Sequence, residues 1–260
     1  MENKKFNYKY NYNLFGRMGT EFNQSCDISS CNITMSVQEI FQSEEFNNLS
    51  IDEFKNKFRD NQNFQKLLEL KNIHLDLLIG SSRFTKHMLD SRGNNINGWS
   101  TNEKRGNKDY DSPIGWIGIG LKVMDHYENN NWLGKNNANG EWSVAYHALG
   151  RGQSSDNVKK TIGLISKMSF RPGPGQMHAQ CDDINHPGNK VGNGVYVTPS
   201  ISNAEAYAGI SEINGIKYKT VLMVRVKPES IRECNCKSGF WVVNGNCDDT
   251  RLYRILFKRC

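Results

Sequence analysis

Residues 192–209 read G-N-G-V-Y-V-T-P-S-I-S-N-A-E-A-Y-A-G, and the rest of the chain is interpreted around them. The glycines open onto a short β-branched and aromatic run, Val195-Tyr196-Val197, which predicts a strand. Pro199 turns the chain, and the small residues that follow predict a helix carrying Tyr207. Ser202 with Glu205 three positions on has capping-box spacing and predicts a helix start at Ser202. Tyr196 and Tyr207 thus stand on a strand and on the helix after it. Such a unit can bring both rings to one cleft, where two aromatic faces hold a flat ligand. Each stacked ring adds about 0.5–1.5 kcal/mol beyond area burial. The same spacing also suits two ordinary core aromatics.

Upstream, E-W-S-V-A-Y-H-A-L-G-R-G (141–152) alternates in the period of a strand, with Trp142, Val144 and Tyr146 on one side and Ser143, Ala145 and His147 on the other. His147 therefore ends a strand and offers a ring nitrogen beside the backbone of Ala148. An imidazole satisfied by a neighbouring carbonyl is the alternative. P-I-G-W-I-G-I-G-L-K-V (113–123) reads as a buried strand, and S-S-D-N-V-K-K-T-I-G-L-I-S (154–166) as a helix. R-P-G-P-G-Q-M-H-A-Q-C-D-D-I-N-H-P-G-N-K (171–190) is a long loop. His178, Cys181, Asp182, Asp183 and His186 lie in it without metal-ligand spacing. Downstream, 218–228 alternates as a central strand closed by Pro228. It points Val221 and Met223 one way and Leu222, Val224 and Val226 the other. Two more strands are expected at 240–244 and 253–258.

Before position 99 the texture is helical. Ser36 with Glu39 and Ser50 with Glu53 match the capping box, and apolar residues between 51 and 92 recur at helical intervals, predicting two or three short helices. His74 and His87 have no metal partner at helical spacing and are expected to be solvated or capping. Residues 1–35 form an Asn-rich arm in which Tyr8, Tyr10 and Tyr12 alternate with polar residues. Its aromatics and lysines also suit a single-stranded nucleic-acid surface. The expected organisation is an arm at 1–35, a helical segment at 36–98 and an α+β domain at 99–260.

The formal net charge of the 260 residues is +6, which favours an acidic macromolecular partner without naming one. No apolar run is long enough to span a bilayer, and the first residues lack a signal core, so no membrane partner is expected. Seven cysteines (Cys26, Cys31, Cys181, Cys234, Cys236, Cys247 and Cys260) show no even framework. Reduced thiols and an intracellular location, cytoplasmic or assembly-associated, are expected. A zinc tetrad of Cys234, Cys236, Cys247 and Cys260 is disfavoured by the C-x-C spacing, and no metal is expected.

A strand ending in Y-H, a helix, G-V-Y-V-T with a second tyrosine eleven positions on, and a late V-x-V strand together resemble the diphtheria-toxin/PARP-type ADP-ribosyltransferases. The resemblance covers about residues 113–258. It implies a split mixed β-sheet preceded by a small helical segment, with NAD as the substrate and a protein or nucleic-acid acceptor. Carried over, His147 and Tyr196 are the catalytic positions. His147, Ala148, Tyr196 and Tyr207 bind NAD: His147 the adenosine ribose, the Ala148 backbone the carboxamide, and the two tyrosines the nicotinamide ring. The chain departs from the family at the third motif, where Gly239 or Phe240 stands in place of a glutamate. Glu233, Asp248 and Asp249 are the nearest acids. Ala148 replaces a glycine, and Ala204 a serine that many relatives carry. The implied activity is at most mono-ADP-ribosyl transfer. The alternative is a catalytically silent fold serving as a binding or structural subunit of a large intracellular assembly.

Overall fold

The first three described helices each begin at a serine. The computed structural model describes residues 35–78, 85–101, 103–149, 160–163, 165, 169–172, 176, 178–236 and 239–260. The Asn-rich arm, Met35 excepted, and most of the 154–166 helix lie outside these residues. Ser36 and Ser50 form the expected capping boxes with Glu39 and Glu53, starting α1 (Val37–Gln42) and α3 (Ile51–Phe58). Ser43 starts α2 (Glu44–Asn48), its hydroxyl accepting from the Phe46 amide at 3.3 Å. α3 and α4 (Phe64–Leu78) fall in the 51–92 stretch read as two or three short helices, and before them the unanticipated cap at Ser43 divides the segment that starts at Ser36 into two helices. None of the described helices is long and apolar enough to cross a membrane.

The buried stripe of α4 runs through Leu67, Leu70, Lys71, His74 and Leu77, the i, i+3, i+4 spacing of one helix face. His74 is therefore fully buried, not solvated or capping, and its ring meets Phe46 edge-on at 5.4 Å. His87 is exposed. Lys71 donates to the Phe46 carbonyl, and its ammonium lies 5.3 and 5.8 Å from the Phe46 and Phe54 rings. Burial lowers Lys71 to about 8 and, helped by the Lys71 charge, pushes His74 down to about 3.

Eleven-residue β7 (Ile216–Val226) is central to the larger sheet. One edge pairs with β10 (Thr250–Arg259), which pairs in turn with β3 (Ile117–Gly120). The other edge takes β6 (Ile210–Ile213) against its first residues and β4 (Ser143–Ala148) against the rest. A second sheet has the order β5 (Val195–Val197), β9 (Trp241–Val243), β8 (Ile231–Glu233). A small hairpin joins β1 (Lys104–Arg105) to β2 (Lys108–Asp109). The architecture is α+β, as expected. The mixed sheet is corrected: every ladder among the described residues is antiparallel. The 113–123 strand shrinks to four residues. The β6–β7 hairpin turns at Asn214-Gly215, both at positive φ (50° and 77°), a two-residue turn that Asn-Gly favours.

β7 is covered on both faces. Val221 and Met223 pack with Trp116, Tyr146 and Ala204, while Leu222, Val224 and Val226 join the large core with α1–α4. Residues 36–98 and 99–260 thus share one core, and 35–260 form one compact unit. On β7, buried Arg225 donates to Glu141 and to the carbonyls of Gly134 and Trp142, pinning the Asn-rich loop before β4.

The His74 burial makes a prediction. Its neutral form is favoured in the fold, so the unfolded chain takes up the proton first as pH falls. The contribution is fully present above about 6.5 and is lost as pH falls toward about 3. Denaturant titrations of wild type and His74→Leu should therefore show a stability difference that grows in the variant's favour between pH 7 and pH 5. A constant difference across that range refutes the assignment.

Candidate functional site

Two backbone hydrogen bonds join the sheets. Tyr146 N–H donates to the Thr198 carbonyl at 2.8 Å, and Thr198 N–H returns to Tyr146 at 3.0 Å. Antiparallel alternation then decides which way β4 faces next. Leu149 N–H bonds to Thr220 on β7, so Ala148, like Tyr146, turns its own N–H and C=O to the β5 side. At that junction lies a cleft of about 330 Å³, lined by His147, Ala148, Tyr196, Ala204, Tyr207 and Phe240 among others.

Each expected residue lines this cleft. His147 is half-buried, and its Nδ1 lies 2.8 Å from the Tyr196 carbonyl. A carbonyl only accepts, so Nδ1 carries the hydrogen and Nε2 is left as the acceptor. Burial holds the His147 pKa below the usual imidazole value, the Tyr196 carbonyl opposing it. The ring is neutral at neutral pH. Both sequence alternatives are thus realised in one residue, one nitrogen satisfied by a carbonyl and the other available.

Tyr196 alternates with core residues Val195 and Val197 and packs its ring on the other side of β5, with Cys181, Cys234 and Val242. Burial raises its hydroxyl pKa, partly offset by the His178 backbone. Tyr207 ends α5 (Ile201–Tyr207), is 36% exposed, and meets Phe240 edge-on at 5.6 Å. The start of α5 differs from the sequence expectation. Ser200, not Ser202, is the N-cap, and its hydroxyl accepts from the Asn203 amide. The helix, following the turn at Pro199, thus starts two residues earlier than the capping-box match implied. Glu205 is free to point at the sheet instead, where it pairs with Lys258 at 2.7 Å and Lys219 at 3.4 Å. Those pairs hold the Tyr207 helix against β7 and β10.

No acidic residue lines the cleft among the described residues. Phe240 stands immediately before β9, and the preceding Gly239 carbonyl accepts from Thr198 Oγ1 at 2.6 Å. The three nearby acids are engaged elsewhere. Glu233 lies on the outer strand β8, 3.4 Å from Lys108 Nζ. Asp248 accepts from Ser169 at 2.6 Å. Asp249 accepts from the Ser230 hydroxyl and the Asn246 amide.

Sequence reasoning passed over Gln176 and His178, which also line the cleft. Gln176 donates to and accepts from Gly194 at 2.6 and 2.7 Å, anchoring the long loop to the glycines before β5. The cysteine expectation is corrected. Cys181 and Cys236, fifty-five positions apart, form a disulfide. The pairing arises because the loop folds back on β8: Ile184 N–H bonds to Glu233 at 2.8 Å and Asn235 N–H to Asp182 at 3.1 Å. Spacing along the chain carries no trace of that return. The Cys234, Cys236, Cys247, Cys260 tetrad does not assemble, since Cys234 is buried while Cys247 and Cys260 are exposed.

No protein-family model matches this sequence, and no curated protein matches it.

Proposed function

We propose that the cleft binds NAD and that the chain is a divergent diphtheria-toxin/PARP-type ADP-ribosyltransferase domain, transferring at most one ADP-ribose to a protein or nucleic-acid acceptor. The observation that carries this reading is convergence. His147, Ala148, Tyr196 and Tyr207, from two strands and a helix, line one open cleft. The strand order supports it as well, because a three-stranded and a five-stranded sheet meeting at β4 and β5 fit the split sheet that the resemblance implies.

In this reading His147 Nε2 accepts from a ribose hydroxyl, and the Ala148 N–H and C=O pair with the carboxamide. The Tyr196 and Tyr207 rings hold the nicotinamide between them. The reaction breaks the bond between nicotinamide and the ribose anomeric carbon. The acceptor bonds to that carbon and gives its proton to water, and nicotinamide leaves neutral. Positive charge develops on the ribose in between, and a site accelerates the step by stabilising that charge. With Phe240 where an acid is expected, the chain lacks that help, which limits transfer to a slow single event. The same phenylalanine favours the second reading, a silent NAD-binding or structural subunit.

Incubation with labelled NAD, with calorimetry alongside, tests both. Label transfer by wild type that is lost in His147→Ala supports the transferase. NAD binding without transfer leaves a silent NAD-binding subunit, and absence of both refutes NAD as the cleft's ligand and leaves a structural subunit. If the missing acid limits the rate, Phe240→Glu should raise nicotinamide release from NAD by about tenfold or more, since a single group stabilising transition-state charge is worth about 10²–10³-fold. Unchanged release would show that something else limits the step. Protonated imidazole cannot accept a hydrogen bond, and the His147 pKa is lowered. NAD affinity should therefore be level from pH 8 to 6.5 and weaken only in more acid solution. An affinity that falls between pH 8 and 7 contradicts the neutral-acceptor role.

A further inference from the structure

Behind the Tyr196 ring, two segments far apart in sequence place four soft ligands together. The loop after residue 177 supplies His178 and Cys181, and the turn after β8 supplies Cys234 and Cys236. His178 Nδ1 lies 3.9 Å from Cys181 Sγ. The ligand atoms of His178, Cys181 and Cys234 all fall within 4.8 Å of one another. Cys236 Sγ is at the same spot, since it is bonded to Cys181. Cys234 is only 2% exposed, yet it has no part in that bond.

We propose that these four residues form a structural zinc site, Cys3His, in the reduced protein. Tetrahedral zinc with bonds of about 2.3 Å to sulfur and 2.0–2.1 Å to nitrogen holds its ligand atoms roughly 3.4–3.8 Å apart. The thiol–imidazole spacing already approaches that geometry. The backbone is preset for it. Asp183 bridges to Cys234, Val191 N–H bonds back to Cys181 at 2.9 Å, and Cys181 N–H closes a turn onto His178 at 2.9 Å. Three thiolates balance the dication with one net negative charge, and the nearby Arg232 and Lys190 side chains engage Asp183 and Asp182 rather than the sulfurs.

The Cys181–Cys236 disulfide occupies two of the four ligands, so disulfide and metal exclude one another. Two equivalents of a small-molecule thiol reduce the disulfide to two cysteine thiols and leave as their own disulfide. Zinc then displaces three thiol protons, from Cys181, Cys234 and Cys236, and takes the His178 lone pair. The consequence falls on the cleft. Cys181, Cys234 and Tyr196 pack in one cluster, and the His178 ring stands 6.2 Å from the Tyr196 ring. A metal here would brace the Tyr196 wall. The site stands on its own ligands and does not depend on NAD binding.

Elemental analysis of the chain purified with zinc and a thiol reductant should find a single zinc, retained in a Cys247→Ser/Cys260→Ser double variant and lost in Cys234→Ser. Cys234 takes no part in the disulfide, so this variant separates a metal site from a mere disulfide. Titration of reduced wild type with cobalt(II) avoids any folding defect of the variants. It should give intense tetrahedral d–d bands and a sulfur-to-cobalt charge-transfer band that zinc abolishes. Reduced wild type that binds neither metal, or Cys234→Ser that keeps its zinc, overturns the proposal.

Discussion

The structure depends on the pair of backbone hydrogen bonds between Tyr146 and Thr198. They are the hinge at which a five-stranded sheet, built around β7, meets the small sheet of β5, β9 and β8. Everything at the cleft follows from their register. With Tyr146 opposite Thr198, the next residue of β4 is His147, and its ring reaches the Tyr196 carbonyl at 2.8 Å. A slip of one residue would turn His147 to the other face, away from the Tyr196 carbonyl. The bond network leaves little freedom for such a slip, because Tyr146 is fully buried and its hydroxyl donates to the Asp111 carbonyl.

Around that junction the fold spends its apolar residues on two faces of β7. The helical segment covers one and α5 the other, which is why the early helices belong to the same core as the late strands. Charge is used to hold elements in place more than to line the cleft. Glu205 clasps two lysines and keeps α5 on the sheet, and Arg225 gathers the carbonyls of a loop. The cleft itself keeps aromatic rings, a neutral imidazole and backbone groups. That chemistry suits the faces and polar edge of a flat ring.

Much of this was legible from local pattern. The alternation of 218–228 assigned both faces of β7, the serine–glutamate pairs placed two helix starts, and strand ends and spacing drew attention to His147, Ala148, Tyr196 and Tyr207, four of the residues that line the cleft. Where the reading failed, a competing contact explains it. Ser202 lost the cap to Ser200 because Pro199 turns the chain early. His74 was expected in solvent although it sits on the apolar stripe of α4, a spacing that would have revealed it. The strands β6 and β8 were not anticipated, and the Asn214-Gly215 turn was the available signal for the first.

The amino-acid sequence determined those features that each residue's neighbours decide: periodicity, caps, turns and the identity of the groups at strand ends. Tertiary structure alone decided which distant ends meet. That the loop carrying His178 and Cys181 returns to β8, that the ordinary-looking Cys234 is buried beside it, and that Glu233 and Asp248 are drawn to partners away from the cleft all depend on pairings across many tens of residues. Such contacts are selected by the closure of long loops and by shared burial, and no local spacing encodes them.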